Sequence, residues 1–152
     1  MDPDNGDLYI ADGYGNRRIV VFDKTGRYLR QWGEQATLAE AEAGVGGKFL
    51  AVVHGVNLGN DGLVYVNDRK GNRIQVFDKD GSFVCNIWVN RGYGLSDPAV
   101  IGTSWDITFS VDRNQRLVLA CVLTLVAAVG AVRQGWLVTG RGHRVILRTE
   151  QM

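Results

Sequence analysis

The chain has 152 residues with 17 basic and 16 acidic side chains, a formal net charge of +1. That length holds one ordinary domain with a sizeable core, and the balanced charge argues against a polyanionic partner drawn by the whole-chain field. A hydrophobic content of 45% excludes a disordered chain, and 20 glycines against 2 prolines point to many tight turns between short strands.

The opening Met1-Asp2-Pro3-Asp4-Asn5-Gly6 is polar and acidic, unlike a secretory signal peptide, and no cellular location follows from the sequence. Alternation of Leu8 and Ile10 then predicts a half-buried strand running to Asp12. After a turn through Gly15-Asn16-Arg17, the run Ile19-Val20-Val21-Phe22 predicts a second strand. Asp23-Lys24-Thr25-Gly26 makes a hairpin turn, because the aspartate bonds nearby backbone and the glycine accepts a positive φ. Tyr28 to Trp32 is the third strand. The stretch from Gly33 to Gly47 is an inter-unit loop. At its end Gly44-Val45-Gly46-Gly47-Lys48-Phe49 superficially resembles a phosphate-binding loop, but Glu42 and Phe49 stand where a glycine and a Ser or Thr are required, so the match fails.

The pattern then returns. Val52-Val53-His54-Gly55-Val56-Asn57-Leu58 predicts an opening strand that the first copy lacks. Leu63 and Tyr65 alternate as Leu8 and Ile10 do, and lead through Asp68 to Gly71-Asn72-Arg73, then Ile74-Gln75-Val76-Phe77. The turn Asp78-Lys79-Asp80-Gly81 precedes a last strand from Phe83 to Trp88. Asp12 maps onto Asp68 with an offset of 56 and Phe22 onto Phe77 with 55, the slip being an extra arginine in the first copy. A third copy begins with Ser104-Trp105-Asp106-Ile107-Thr108-Phe109, a turn at Asp112-Arg113-Asn114, then Leu117 to Ala120. Four antiparallel strands per repeated unit is the signature of a propeller blade. The expected fold is all-β: a partial β-propeller of about two to three four-stranded antiparallel blades over residues 1–116, the second at about 52–88 and the third begun at about 104.

The segment His54 to Gly81 resembles the NHL-repeat family: a His-Gly-Val strand, then Leu-Val-Tyr-Val-Asn-Asp, then Gly-Asn-Arg-Ile-Gln-Val-Phe-Asp-Lys-Asp-Gly. The likeness extends over about residues 6–116 and is carried by a whole blade seen twice. WD40 repeats fit less well, since Trp105-Asp106 lies in an opening strand rather than at a blade's end. The repeated Asp12, Asn16, Arg17, Asp23 and Gly26, with their counterparts Asp68, Asn72, Arg73, Asp78 and Gly81, read as structural blade residues, because a feature present in each blade serves the blade.

Residues 117–152 break the pattern. They contain no Asp, Asn, Lys, Pro, Phe or Tyr, whereas residues 1–116 hold 12 aspartates. So abrupt a change in mid-blade is read as a shifted reading frame or a fusion, with a native hydrophobic cap as the alternative. From Leu117 to Val132 runs an uncharged stretch of 16 residues, shorter than the ~20 of a spanning helix, and a membrane partner is not expected. Cys85 and Cys121 lie in apolar stretches without metal-ligand spacing and read as small buried hydrophobes, a disulfide between them being left open.

The resemblance implies that the opening strand of each blade lines a central channel. NHL-type propellers similar to peptidyl-hydroxyglycine amidating lyase place histidines from several blades there around zinc, which makes His54 the candidate metal residue. Catalytic zinc needs about three protein ligands, yet Trp105 occupies the equivalent place in the third copy, and the other histidine, His143, lies in the divergent tail. Neither a Ser-His-Asp order nor a carboxylate pair stands out, so no catalytic residue is assigned. The favoured reading is a non-catalytic NHL scaffold that binds a protein or small ligand, needs no cofactor, and belongs to a longer propeller. The first alternative is an arc of a zinc-dependent, amidating-lyase-like propeller, with zinc held only by the complete parent. The second is an RNA-binding face around Arg17, Arg18, Arg69, Lys70 and Arg73, which Asp68, Asp78 and Asp80 dilute. An arc also leaves blade edges exposed, which predicts self-association.

Overall fold

A computed structural model describes residues 1–111 and, as backbone strands, 117–124, 132–139 and 145–149. The first sheet joins β1 (Leu8–Asp12), β2 (Arg18–Phe22) and β3 (Tyr28–Trp32) in sequence order. A connecting segment holds β4 (Glu34–Gln35), α1 (Leu38–Ala43) and β5 (Lys48–Phe49), with β4 and β5 paired in parallel. The second sheet runs β6 (Val53–Leu58), β7 (Val64–Asp68), β8 (Arg73–Phe77) and β9 (Phe83–Trp88), all antiparallel. The third pairs β10 (Ser104–Phe109) with β11 (Leu117–Thr124), β12 (Val132–Thr139) and β13 (Val145–Thr149), again antiparallel. Successive antiparallel sheets of three, four and four strands give the all-β architecture that was expected.

The core lies between the sheets. Tyr9, Ile19 and Val21 of the first sheet pack on Val64, Val66 and Phe77 of the second, with Phe49 from the connection filled in between. On the opposite face of the second sheet, Ile74 packs with Ile107 of the third, flanked by Tyr65, Ile87 and Phe109. Burial of each such aliphatic side chain is worth about 1.5–3 kcal/mol, so the middle sheet is held from both sides. Every residue of β8 is buried for that reason.

Several expectations need correction. The alternation of Leu8 with Ile10 marks the exposed face of β1, and it is Tyr9 that enters the core. In the second copy Leu63 precedes the strand, and the buried pair is Val64 and Val66, because a sheet covered on both faces does not reveal its inward side by simple alternation. The connection from Gly33 to Gly47 is not all loop. Thr37 caps α1, with Thr37 Oγ1 accepting from the Glu40 amide and the Glu40 carboxylate accepting from the Thr37 amide, and Gly44 ends it at φ 78°. Cys85 is an exposed free thiol on β9 rather than a buried hydrophobe.

The predicted turn at 112–114 lies outside the described residues, as do 125–131 of the uncharged stretch. Where the backbone of that stretch is described, over Leu117–Thr124, it is strand. Among the described residues no helix is long and apolar enough to cross a membrane.

Candidate functional site

His54 and Trp105 occupy the second positions of β6 and β10, and both stand at a slip in strand register. Pairing shifts between Val53 and Gly55 in one sheet and between Ser104 and Asp106 in the other. A bulge of this kind re-aims a side chain out of the regular ladder. His54 Nδ1 lies 2.6 Å from the Trp105 carbonyl oxygen, and the two rings meet edge-on at 5.0 Å. A carbonyl only accepts, which places a proton on Nδ1; in the neutral imidazole Nε2 then carries the lone pair.

Two turns bring further side chains to the same end of the sheets. Tyr14, 75% exposed, comes from the β1–β2 turn, its ring 6.2 Å from that of His54. Arg69 comes from the β7–β8 turn, and its guanidinium lies 4.7 Å from the Trp105 ring centre and 5.8 Å from that of Tyr14. Arg69 is anchored by Nε, which donates to the Ile101 carbonyl at 2.9 Å, and Trp105 Nε1 donates to the Gly102 carbonyl at 3.0 Å. Two glycines make this convergence possible. A Cβ on Gly13 would stand 2.1 Å from the Val53 carbonyl oxygen, and one on Gly102 2.1 Å from that of Arg69. Only a bare backbone lets the neighbouring blades approach so closely. Three successive blades thus present one cluster of two aromatic rings, an imidazole and a guanidinium.

The repeated polar residues are divided differently. Asp68 and Arg73 form a fully buried ion pair at 2.9 Å, joined by Gln75, which donates to Asp68 at 3.2 Å. This group grips the backbone leading into the second blade. Arg73 and Gln75 both donate to the Lys48 carbonyl at 2.6 Å, Asp68 accepts from the Leu50 amide at 3.2 Å, and Gln75 accepts from the Gly47 amide at 2.9 Å. In the first blade the matching pair is Asp12 with Arg18 at 2.7 Å. Arg17, expected as the counterpart of Arg73, instead donates to the Gly13 and Asn16 carbonyls at 2.7 Å. The extra arginine shifts the strand by one, and pairing of Asp12 with Arg18 across β1 and β2 decides which arginine serves.

Asn72 is buried at φ 53° and accepts from both the amide and hydroxyl of Thr103 at 2.8 Å, so it ties the second blade to the third. Asn16 is exposed and donates to Asp12 at 2.9 Å. Asp23 accepts from the Thr25 and Arg27 amides, with Gly26 following at φ 84°. In the second copy the Gly81 amide donates to the Asp78 carbonyl at 3.0 Å, and Gly81 takes φ 98°. Of the cations proposed for RNA, Arg73 is buried, Arg18 is ion-paired, and Lys70 donates to the carbonyls of Gly94, Asp97 and Val100.

Elsewhere, a cavity of about 300 Å³ is lined by Asp2, Asp4, Leu58, Asn60 and Lys79. Lys79 lies 2.8 Å from Asp2 and 2.9 Å from Asp4, so its ammonium pairs with both carboxylates and offsets one of their two charges. Their hydrogen bonds hold the Lys79 amine well above its ordinary range. Among the described residues no group of three His, Cys, Asp or Glu side chains comes together to hold a metal.

Sequence reasoning named His54 but missed the cluster around it. Nothing in the sequence singles out Tyr14, Arg69 is one cation among several, and Trp105 stands where a second histidine would be. The available signal was positional: turns after the strand that ends in the repeated aspartate (Asp12, Asp68) and starts of opening strands share one end of an antiparallel blade.

Stacked antiparallel meanders of three, four and four strands with a repeated Asp–Arg motif give this chain a β-propeller-like fold of the kind that NHL repeats resemble. Its similarity to known proteins agrees. It is 37% identical over 89 residues to NHL repeat-containing protein 3 of Homo sapiens, covering 57% of this chain and 23% of that protein. It is 37% identical over 89 residues to peptidyl-glycine alpha-amidating monooxygenase B of Xenopus laevis, covering 57% of this chain and 10% of that protein. It is 32% identical over 82 residues to peptidyl-alpha-hydroxyglycine alpha-amidating lyase 1 of Drosophila melanogaster, covering 53% of this chain and 15% of that protein. The alignments therefore span less than a quarter of each relative's own length. No family model matches the chain.

Proposed function

We propose that the chain is an NHL-type binding module without catalysis of its own, and that Tyr14, His54, Arg69 and Trp105 form its ligand-contacting surface. The observation that carries this reading is their convergence from three blades, with Tyr14 extended into solvent and the Arg69 guanidinium stacked between two aromatic rings. An exposed tyrosine and a half-buried tryptophan beside a guanidinium suit a peptide or small ligand that offers a planar group and hydrogen-bond acceptors. The test is selection of a displayed random peptide library on the folded chain. Binders should lose at least about tenfold in affinity on Tyr14→Ala, a change at an exposed turn, which corresponds to about 1.4 kcal/mol. Binders indifferent to Tyr14→Ala and Arg69→Ala would remove this surface from the proposal.

A second reading, an arc of a zinc-dependent amidating-lyase-like propeller, is favoured by one detail. With Nδ1–H bound to a backbone carbonyl, His54 has the orientation that a histidine ligand takes, its Nε2 lone pair available. His54 fits the role of one ligand, and the described residues supply no set of three. Zinc, where bound, would act as a Lewis acid. Calorimetric titration of the purified chain with zinc separates the readings: stoichiometric uptake abolished by His54→Ala favours the second, and no uptake favours the first.

A further inference from the structure

We infer that Lys70 is the internal cation of a cage of backbone carbonyls, and that this cage positions Arg69 and Trp105 in the cluster. The Lys70 ammonium donates to the carbonyl oxygens of Gly94 at 2.7 Å, Asp97 and Val100. An ammonium has three donors and no acceptor, so three converging carbonyls satisfy it fully. The segment itself builds the cage. The Asp97 amide donates to the Gly94 carbonyl at 3.2 Å and the Val100 amide to the Asp97 carbonyl at 3.1 Å, so two successive turns set the three carbonyls three residues apart. Gly94, at φ 54°, lets the coil close, for a Cβ there would stand 2.6 Å from Val100 Cγ1. Burial pushes the Lys70 amine below its ordinary range, against the pull of the Asp97 carboxylate. A partly desolvated charge is kept only where other dipoles replace its water.

The first blade does without this arrangement. Counted from the shared aspartate, Gly13 and Tyr14 stand where Arg69 and Lys70 stand in the second blade, so the cation and its guanidinium neighbour are not part of the repeated framework. Directly after the cage come the two carbonyls that fix the cluster. Ile101 accepts from Arg69 Nε at 2.9 Å, and Gly102 accepts from Trp105 Nε1 at 3.0 Å. Gly102 also packs against the Arg69 backbone, where a Cβ would stand 2.1 Å from the carbonyl oxygen. Withdrawing the ammonium would free residues 94–100 and, with them, both acceptors. Lys70 therefore acts through this segment, as a positioning residue.

Hydrogen exchange of the Trp105 indole N–H in the 152-residue chain, assigned by its loss in Trp105→Phe, tests this. Lys70→Ala should speed that exchange roughly tenfold or more, the scale of losing hydrogen bonds to a charged group. Saturating n-propylammonium, which restores the missing stem and charge, should return it to the parent rate, whereas n-propanol should not. Exchange unchanged by Lys70→Ala overturns the inference, as does protection that propylammonium fails to restore or that propanol restores equally well. If Lys70→Ala unfolds, Lys70→Met keeps the stem and removes the charge: faster indole exchange in a folded chain supports the cage, and the parent rate overturns it. Unfolding of both variants also overturns it, because Lys70 would then hold the whole fold rather than this segment. The inference rests on the proposed ligand surface only for the use made of the positioned side chains. Its readout needs no ligand, so peptides indifferent to Tyr14→Ala would strike that reading alone, and an unchanged exchange rate would strike this one alone.

Discussion

The first and second blades carry nearly the same residues in nearly the same strands, yet they differ in what surrounds them. Asp12–Arg18 and Asp68–Arg73 are equivalent pairs with contacts of 2.7 and 2.9 Å, one a third exposed and the other wholly buried. An exposed pair is screened by solvent and contributes little, whereas a buried pair commits two charges that cannot be left alone. Repetition in sequence thus does not mean repetition in energy. What converts the motif from a surface contact into a structural clamp is the arrival of a neighbouring blade with its connecting backbone.

The largest expected effect follows directly. Asp68→Ala leaves the Arg73 guanidinium buried without its carboxylate and should cost about 3–5 kcal/mol. Asp12→Ala should cost no more than ~1 kcal/mol, as for other exposed pairs. Urea denaturation of the two variants checks the contrast, and similar losses at both sites would break it.

A smaller effect comes from making the second blade resemble the first. Gln75 occupies the place that Val20 holds in the first blade, and its amide bonds the Gly47 amide and the Lys48 carbonyl. Gln75→Val removes one acceptor and one donor from that backbone and should destabilise by about 1–3 kcal/mol. Protection of the Gly47 amide from hydrogen exchange should fall together with global stability. Loss of stability with that amide still protected would mean that Gln75 acts through packing instead.

The blade units were legible because their signals are local. Asp-Lys-Thr-Gly and Asp-Lys-Asp-Gly announce hairpins by chemistry that needs no partner blade, and the opening strands at β6 and β10 fell where the repeat placed them. The helix in the connection is equally local, written in Thr37, Glu40 and Gly44, but the repeat offers no counterpart for it and so points to loop there. Faces and register were not legible. Whether Leu8 or Tyr9 turns inward depends on which side a second sheet covers, and whether Arg17 or Arg18 pairs with Asp12 depends on the cross-strand ladder. The cluster around His54 was invisible for the same reason. Its members are 91 residues apart at the extremes, Tyr14 to Trp105, and only the stacking of blades brings them together.

Acidity gives the finest comparison of the two blades, because the same pair chemistry is expected to move the two carboxyls in opposite directions. Hydrogen bonding from Arg18 holds the Asp12 carboxyl below its ordinary value. Burial pushes the Asp68 carboxyl above it, against the pull of Arg73. The signs follow from linkage. Asp12 favours the folded state above the ordinary carboxylate value, and that small contribution is lost as pH falls through its lowered folded value. Asp68 carries a penalty at neutral pH that is relieved as pH falls through its raised folded value towards the unfolded one. Relative to Asp12→Asn, the parent chain should therefore lose stability on acidification. Relative to Asp68→Asn it should gain, over the pH range just above the ordinary carboxylate value. Carbon-13 titration of the two carboxyls reads the same difference directly. An Asp68 midpoint at or below that of Asp12 would show that the four donors around Asp68 (Arg73, Gln75 and the amides of Leu50 and Gly71) outweigh its burial, and the clamp would then be a net attraction at neutral pH rather than a commitment the fold has to offset.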